Sequence, residues 1–223
     1  MNPELSEFSY GFALTNELVG WTALYSAPIF PSLIEEGKEA GGYDVKLDYP
    51  AVPLYLQFKR SHCMTRRSAK EIKAYKAALN LPFYRFSITE RNRSFLHTSL
   101  VELDDGNNLV FYAAPRFHLL IQINEAWNTG QVANRSVFIA PREIGLIEDD
   151  ESHHIAFDST HAYFCSDPRQ IDYLLPDGIQ KAVEQKLNQD QSPLREKIGQ
   201  WVVNIEATEK TRTDYAAKNR SRN

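Results

Sequence analysis

The sequence predicts an α/β fold with a central mixed β-sheet flanked by helices, and three observations carry that expectation. Residues 43–59 hold two short alternating segments around a proline-flanked turn, the pattern of a hairpin with one polar face. Helical and strand-like stripes then follow one another along the rest of the chain instead of segregating. At 223 residues, with 43% hydrophobic and 12% aromatic side chains, the chain can bury a substantial core and does not have a disordered composition.

The elements are justified in order. Leu5, Phe8, Phe12, Leu14 and Leu18 recur at roughly helical spacing over residues 4–20, and Gly20 can end the run. Residues 21–26 read as a short strand, closed by Ala27-Pro28 and Phe30-Pro31. Residues 32–37 read as a helical turn before the Gly41-Gly42 break.

The hairpin follows. Tyr43, Val45 and Leu47 alternate with Asp44, Lys46 and Asp48, and Leu54, Leu56 and Phe58 alternate with Tyr55, Gln57 and Lys59. If the two segments pair, their polar groups collect on one side. Any antiparallel hairpin with one solvated face would alternate in the same way.

Residues 68–79 read as a helix with Ser68 as cap and Glu71 as its capping-box partner, and Ile72, Tyr75 and Leu79 as its buried stripe. Pro82 stops it, and residues 83–89 alternate as a strand. A helix over 94–103, a turn over 104–108 and an apolar strand over 109–114 come next, ended by Pro115. Residues 117–128 read as a helix, 136–140 as a strand, and 155–157 and 162–165 as short strands. Ile179, Val183 and Leu187 mark one further helix, and Leu194, Ile198, Trp201, Val202 and Ile205 a last one, started by Ser192-Pro193. Beyond Glu206 the stripe vanishes, and Lys210, Arg212, Lys218, Arg220 and Arg222 form a basic tail.

Bulk properties narrow the function classes. A net charge of −4 gives no global attraction to nucleic acid, so such binding would need a local patch. Cys63 and Cys165 lie far apart without metal-type spacing and read as reduced thiols. The opening Met1-Asn2-Pro3-Glu4-Leu5 lacks the basic and apolar regions of a signal peptide, and no apolar run is long enough to span a bilayer. A soluble, cytoplasmic protein is expected. The absence of a Gly-rich phosphate loop and of a Gly-x-Ser-x-Gly elbow argues against nucleotide and serine hydrolases.

The order helix, strand, strand with Asp44, strand with Gln57-Phe58-Lys59, helix, strand resembles the core of PD-(D/E)xK nucleases. The Asp…Gln-x-Lys form is similar to their Mrr-like branch. The resemblance covers roughly residues 5–90 and implies a restriction-endonuclease-like core over 1–92. An α/β extension over 93–206 would pack on it, and 207–223 would remain a basic tail. By the same resemblance Asp44 is the metal-binding acid, Gln57 stands where relatives place a second carboxylate, and Lys59 serves the water or the transition state. The family's glutamate on the first helix would be Glu17, with Glu7 second, and Glu36 is a rival nearer in sequence to Asp44.

The implied cofactor is Mg²⁺ or Mn²⁺, since an ion with few carboxylates and several waters suits phosphodiester cleavage. Arg60, Arg66, Arg67, Lys70, Lys73 and Lys76 follow the motif and would contact phosphates, or simply form a solvated helix face. DNA is the expected partner, with RNA as the alternative, and a homodimer or partner subunit could assist paired cuts. The setting would be prokaryotic defence or a mobile element. The other function class considered is a non-catalytic subunit that binds nucleic acid or protein on the same fold.

Two lesser signals remain. Asp149, Asp150, Glu151, His153, His154 and His161 make an acid- and His-rich stretch without zinc-type spacing, read as a loop. Pro115-Arg116-Phe117-His118 reads either as part of a substrate groove or as a strand-to-helix junction.

Overall fold

The computed structural model describes residues 1–21, 23–31, 42–73, 77–89, 94–149 and 151–189. The expected turn over 32–37, the last helix over 192–205 and the basic tail lie outside these residues. Among the described residues no helix is long and apolar enough to cross a membrane.

The first helix, α1 (Glu7–Leu18), starts where the Ser6 hydroxyl accepts the Ser9 N–H, and it buries Tyr10, Leu14 and Leu18 at four-residue spacing. Strands β1 (Val45–Tyr49) and β2 (Val52–Phe58) form the expected antiparallel hairpin, with Val45 opposite Leu56 and Tyr49 opposite Val52. Pro50 presets the turn, while Ala51 sits at φ 69°, a left-handed conformation that normally favours glycine. Residue 21 and residues 23–26 are not in a strand. Instead Tyr25 N–H reaches Asp48, and Ile29 alone bridges to Lys46. Pro28 and Pro31 flank that bridge and have no N–H with which to extend the ladder.

The chain continues through β3 (His62–Met64), α2 (Lys70–Lys73), β4 (Phe83–Thr89), α3 (Ser94–Leu103) and β5 (Leu109–Pro115). Then follow α4 (Leu120–Asn128), β6 (Ser136–Ile139), α5 (Pro141–Ile144), β7 (His153–Phe157), β8 (Ala162–Phe164), β9 (Arg169–Ile171) and α6 (Pro176–Gln189). Two sheets result. The four-stranded mixed sheet has the order β1-β2-β5-β6, with β2 and β5 parallel and the other pairs antiparallel. The five-stranded sheet β3-β4-β7-β8-β9 is antiparallel throughout.

Apolar side chains arrange these elements in layers. One face of the mixed sheet packs Val45, Leu47, Leu54, Leu56 and Phe58 against Tyr10, Leu14 and Leu18 of α1, Ile123 of α4, and Ile179 and Val183 of α6. The other face, through Val110, Tyr112, Val137 and Ile139, meets Leu100 of α3 and the inner side of the second sheet. A smaller cluster on the far side of that sheet joins Phe83, Ala156 and Cys165 to Ala77 and Leu79. The hydrophobic effect thus closes two sheets and their helices on one another.

Three expectations are corrected by this arrangement. The expected central mixed sheet is accompanied by a second sheet, to which strand 83–89 belongs, and the parallel neighbour of β2 is β5. A division near residue 92 separates neither sheet, because each takes strands from both sides of it. The helix expected over 68–79 is helical at Lys70–Lys73, and residues 77–80 are not helical. There the distant Asp158 carboxylate captures the Asn80 backbone and side-chain amides at 2.6 and 3.0 Å.

Candidate functional site

The Asp44–Gln57–Lys59 group lies at the open end of the hairpin, where β2 leaves its pairing with β1 and continues beside β5. Burial of Leu54, Leu56 and Phe58 against α1 turns Tyr55, Gln57 and Lys59 to the opposite face, as alternation requires. Gly11 makes that packing close: a Cβ there would fall 2.3 Å from the Phe58 ring. The tight contact presses the end of β2 onto α1.

Asp44 precedes β1 and joins it to β2 through both backbone and side chain. Its N–H donates to Leu56 O at 2.8 Å, and its Oδ2 accepts the Phe58 N–H at 2.6 Å and the Gln57 amide at 2.9 Å. Just upstream, Gly42 has φ 94°, and a Cβ on it would approach the Leu96 carbonyl at 2.9 Å. Chain reversal and helix contact both favour glycine there. Because regular pairing begins only at Val45, Tyr43 does not join the Val45 and Leu47 face. It packs edge-on against Tyr55 at 4.9 Å between ring centroids.

Lys59 is half-buried. Its backbone N–H donates to Ala113 O at 2.9 Å, and its ammonium lies 5.6 Å from the centroid of the Tyr112 ring. That is within cation–π range. Tyr112, the partner of Gln57 in the parallel ladder, is buried, and its hydroxyl meets His97 Nδ1 at 2.7 Å. His97 Nε2 meets the Gly145 carbonyl at 2.7 Å. Burial, followed by the charges of His153 and Lys59, holds His97 below the usual histidine range, although the Gly145 hydrogen bond acts the other way.

Sequence reasoning did not single out Tyr112 or His97. Tyr112 stands in a strand that reads as wholly apolar. The available signal for His97 is that it shares the buried stripe of α3 with Leu100, where a polar side chain needs a partner.

The candidate glutamates do not share one place. Glu17 is not brought to Asp44: its Oε2 accepts the Val132 and Ala133 N–H groups at 2.7 and 3.1 Å, on the α1 side of the sheet. Glu7, the second choice, does reach the end of the motif, where its Oε1 accepts the Arg60 N–H at 3.4 Å. Glu36 lies outside the described residues.

Among the described residues no group of three or more His, Cys, Asp or Glu side chains is placed to hold a metal ion. The described donor set here is one carboxylate, Asp44, and one amide oxygen, Gln57. A hard cation held by this set alone would keep most of its waters.

The basic run is spread over several elements. Arg60 follows β2, Arg66 and Arg67 lie on the turn after β3, and Lys70 and Lys73 are on α2, all of them exposed. Glu71, between the two lysines, is buried and pairs with Arg85 at 2.8 Å, so it is not the capping-box residue expected. Lys76 lies outside the described residues.

The acid- and His-rich stretch is partly strand. His153 and His154 belong to β7, and His153 links Ser166 Oγ at 2.8 Å to Asp149 Oδ1 at 2.7 Å. Phe117 and His118 are buried, and Arg116 donates to Asn134 O at 2.6 Å. The segment after β5 is therefore a strand-to-helix junction.

No family model matches this chain, and no curated protein or solved structure matches it either.

Proposed function

We propose that the chain is a metal-dependent nuclease that hydrolyses DNA phosphodiester bonds at the Asp44–Gln57–Lys59 group. The observation that carries this reading is the bonding of Asp44 to Gln57 at 2.9 Å, with Lys59, just past the end of β2, over the ring of Tyr112, the ladder partner of Gln57. Element order supports it too. A helix, the Ile29 bridge, β1 leading from Asp44, and β2 with Gln57 leading to Lys59 come in the expected order, and after β3, α2 and β4 residues 94–115 supply a helix and a strand parallel to β2.

In this reading Asp44 and Gln57 would hold Mg²⁺ or Mn²⁺ with water and substrate oxygens, and Glu36 is the remaining candidate carboxylate. The ion would supply charge neutralisation and a more acidic water. Asp44 fixes the Gln57 amide, and Lys59 holds a positive charge beside the cleaved phosphate as negative charge grows on it. The Tyr112 ring shields one side of that ammonium from water. The exposed Arg66, Arg67, Lys70 and Lys73 would contact backbone phosphates without reading sequence.

The test is cleavage of plasmid and linear DNA with Mg²⁺ or Mn²⁺, beside EDTA and the Lys59→Ala and Asp44→Asn variants. Expected is metal-dependent cutting that falls by at least about 10²-fold in each variant. Equal cutting by variants and wild type would remove the site assignment.

A second reading, a non-catalytic nucleic-acid-binding or partner-binding subunit, is favoured by one observation. Asp44 Oδ2 already accepts two hydrogen bonds, from Gln57 and from the Phe58 backbone. DNA binding that survives both substitutions, in a protein that cuts nothing with either metal, would select it.

A further inference from the structure

Lys59 sits at the end of a chain of contacts that leads inward from the surface to the backbone of Gly145. The chain's chemistry can be read link by link. The Gly145 carbonyl can only accept, so His97 Nε2, 2.7 Å away, carries the ring proton in the neutral imidazole. His97 Nδ1 is then an acceptor, and the hydroxyl 2.7 Å from it must donate. The Tyr112 O–H is thereby directed at His97.

The two rings are nearly parallel, with 12° between their planes and 5.9 Å between centroids, so His97 fixes both the hydroxyl and the plane of the phenol. Tyr112 is 1% exposed and His97 also 1%, so neither group has water as a substitute partner. Gly145 completes the chain at φ 80°, which aims its carbonyl from the turn after α5 in a conformation suited to glycine. The Tyr112 ring face is where the Lys59 ammonium rests, 5.6 Å from the centroid.

We propose that Tyr112 and His97 are positioning residues for Lys59: His97, anchored on Gly145, locks the Tyr112 ring, and the ring seats the ammonium. The functional meaning rests on Lys59 serving the phosphodiester transition state; the seating itself does not. Lysine carries a flexible stem with several rotatable bonds. A rigid aromatic seat restricts where its charge can stand before substrate arrives, which is the preorganisation that transition-state stabilisation requires.

Lysine-selective ¹³C NMR of the full-length protein tests the seating without any assay of cleavage, with Lys59 assigned from its missing signal in Lys59→Arg. In the wild type the two Lys59 Hε protons are expected to be resolved and to show contacts to the Tyr112 ring protons. Tyr112→Leu should merge them into a bulk-like lysine signal. Tyr112→Phe keeps the ring but cuts it from His97, and should reduce the separation by about half, as expected when a preorganising contact is lost. His97→Gln retains a donor for Gly145 and an acceptor for Tyr112, and should restore the wild-type pattern.

Merged Hε signals in the wild type would overturn the proposal. So would a Tyr112→Phe spectrum identical to wild type, since His97 would then orient nothing that Lys59 feels. Where cleavage is measurable, Tyr112→Phe should lower kcat about tenfold with KM unchanged. A wild type that shows resolved Lys59 signals yet cuts no DNA upholds the seating and counts against the nuclease reading alone.

Discussion

The carboxylate of Asp44 accepts the backbone N–H of Phe58 at 2.6 Å, in place of the backbone acceptor that β1 no longer provides. Charge-assisted bonds of this type are roughly twice as strong as neutral ones. Asp44 is thus a fastening of the hairpin as well as a candidate metal ligand. Asp44→Ala leaves the Phe58 donor without its acceptor and should cost about 1–3 kcal/mol in urea unfolding. Asp44→Asn, which retains an acceptor oxygen, should cost less than half as much. A cost near zero in both variants would mean that the Phe58 bond contributes nothing, and only then would the alanine variant be a clean probe of chemistry.

Gly11 presses α1 onto the ring of Phe58, one position from Gln57 and from Lys59. Any Cβ at this position lies 2.3 Å from the ring, far inside contact distance. Gly11→Ala gains helix propensity but must push helix and strand apart, and overpacking of this kind costs about 1–3 kcal/mol. Thermal unfolding should show a lower midpoint. An unchanged or raised midpoint would show that the Phe58 ring yields freely.

Asp158 gathers the loops at one end of the second sheet. Its carboxylate accepts the N–H groups of Asn80, Thr160 and His161 at 2.6, 2.7 and 2.7 Å. Burial alone would raise its pKa, yet these bonds together, with that from the Thr160 hydroxyl, hold it below the usual aspartate value. A depressed folded-state pKa gives stabilisation that is complete above the unfolded value, about 3.9, and is lost as pH falls through the folded one. Wild-type stability should therefore drop in the acid range below about pH 4, where Asp158→Asn should show a shallower dependence. Parallel urea-unfolding curves for the two proteins across that range would remove Asp158 from the acid limb.

The hairpin was readable because Leu54, Leu56 and Phe58 alternate with polar residues over a full strand, and Pro50 marks the turn. Likewise α1, α3, β5, β6 and α6 carry periods long enough to be recognised. Strands β3 and β9 were missed, since each has three residues and, unlike the aromatic Ala162–Phe164, they include polar side chains such as His62, Arg169 and Gln170. The helix expected from Ser68 was too long because Asp158, 78 positions from Asn80, takes hold of the backbone there. The second partner of β2 was left open for a related reason: alternation states which face is buried and not which strand lies alongside. At the site, the Asp44–Gln57 proximity followed from the hairpin register. The turn of Glu17 toward Val132 and the Tyr112–His97 pair could not, because both join residues that only the tertiary fold makes neighbours.

Under the proposed function the exposed Arg66 and Arg67 neutralise phosphates. Each phosphate contact removed should make the slope of log binding constant against log salt shallower by roughly 0.9 on duplex DNA. Arg66→Ala combined with Arg67→Ala should weaken binding evenly across unrelated sequences in fluorescence anisotropy. A wild-type slope in the double variant would identify the pair as a solvated surface.

The parallel pairing of β2 with β5 also sets a timetable for the newborn chain. Leu54 aligns with Leu109, so Asp44, Gln57 and Lys59 are synthesised well before the strand carrying Tyr112. Closing so long a connection is slow compared with zipping a hairpin across Pro50 and Ala51. A chain cut near residue 90 would contain the complete motif while lacking the surface on which Lys59 comes to rest. Synthesis therefore places a delay between writing the site and arming it.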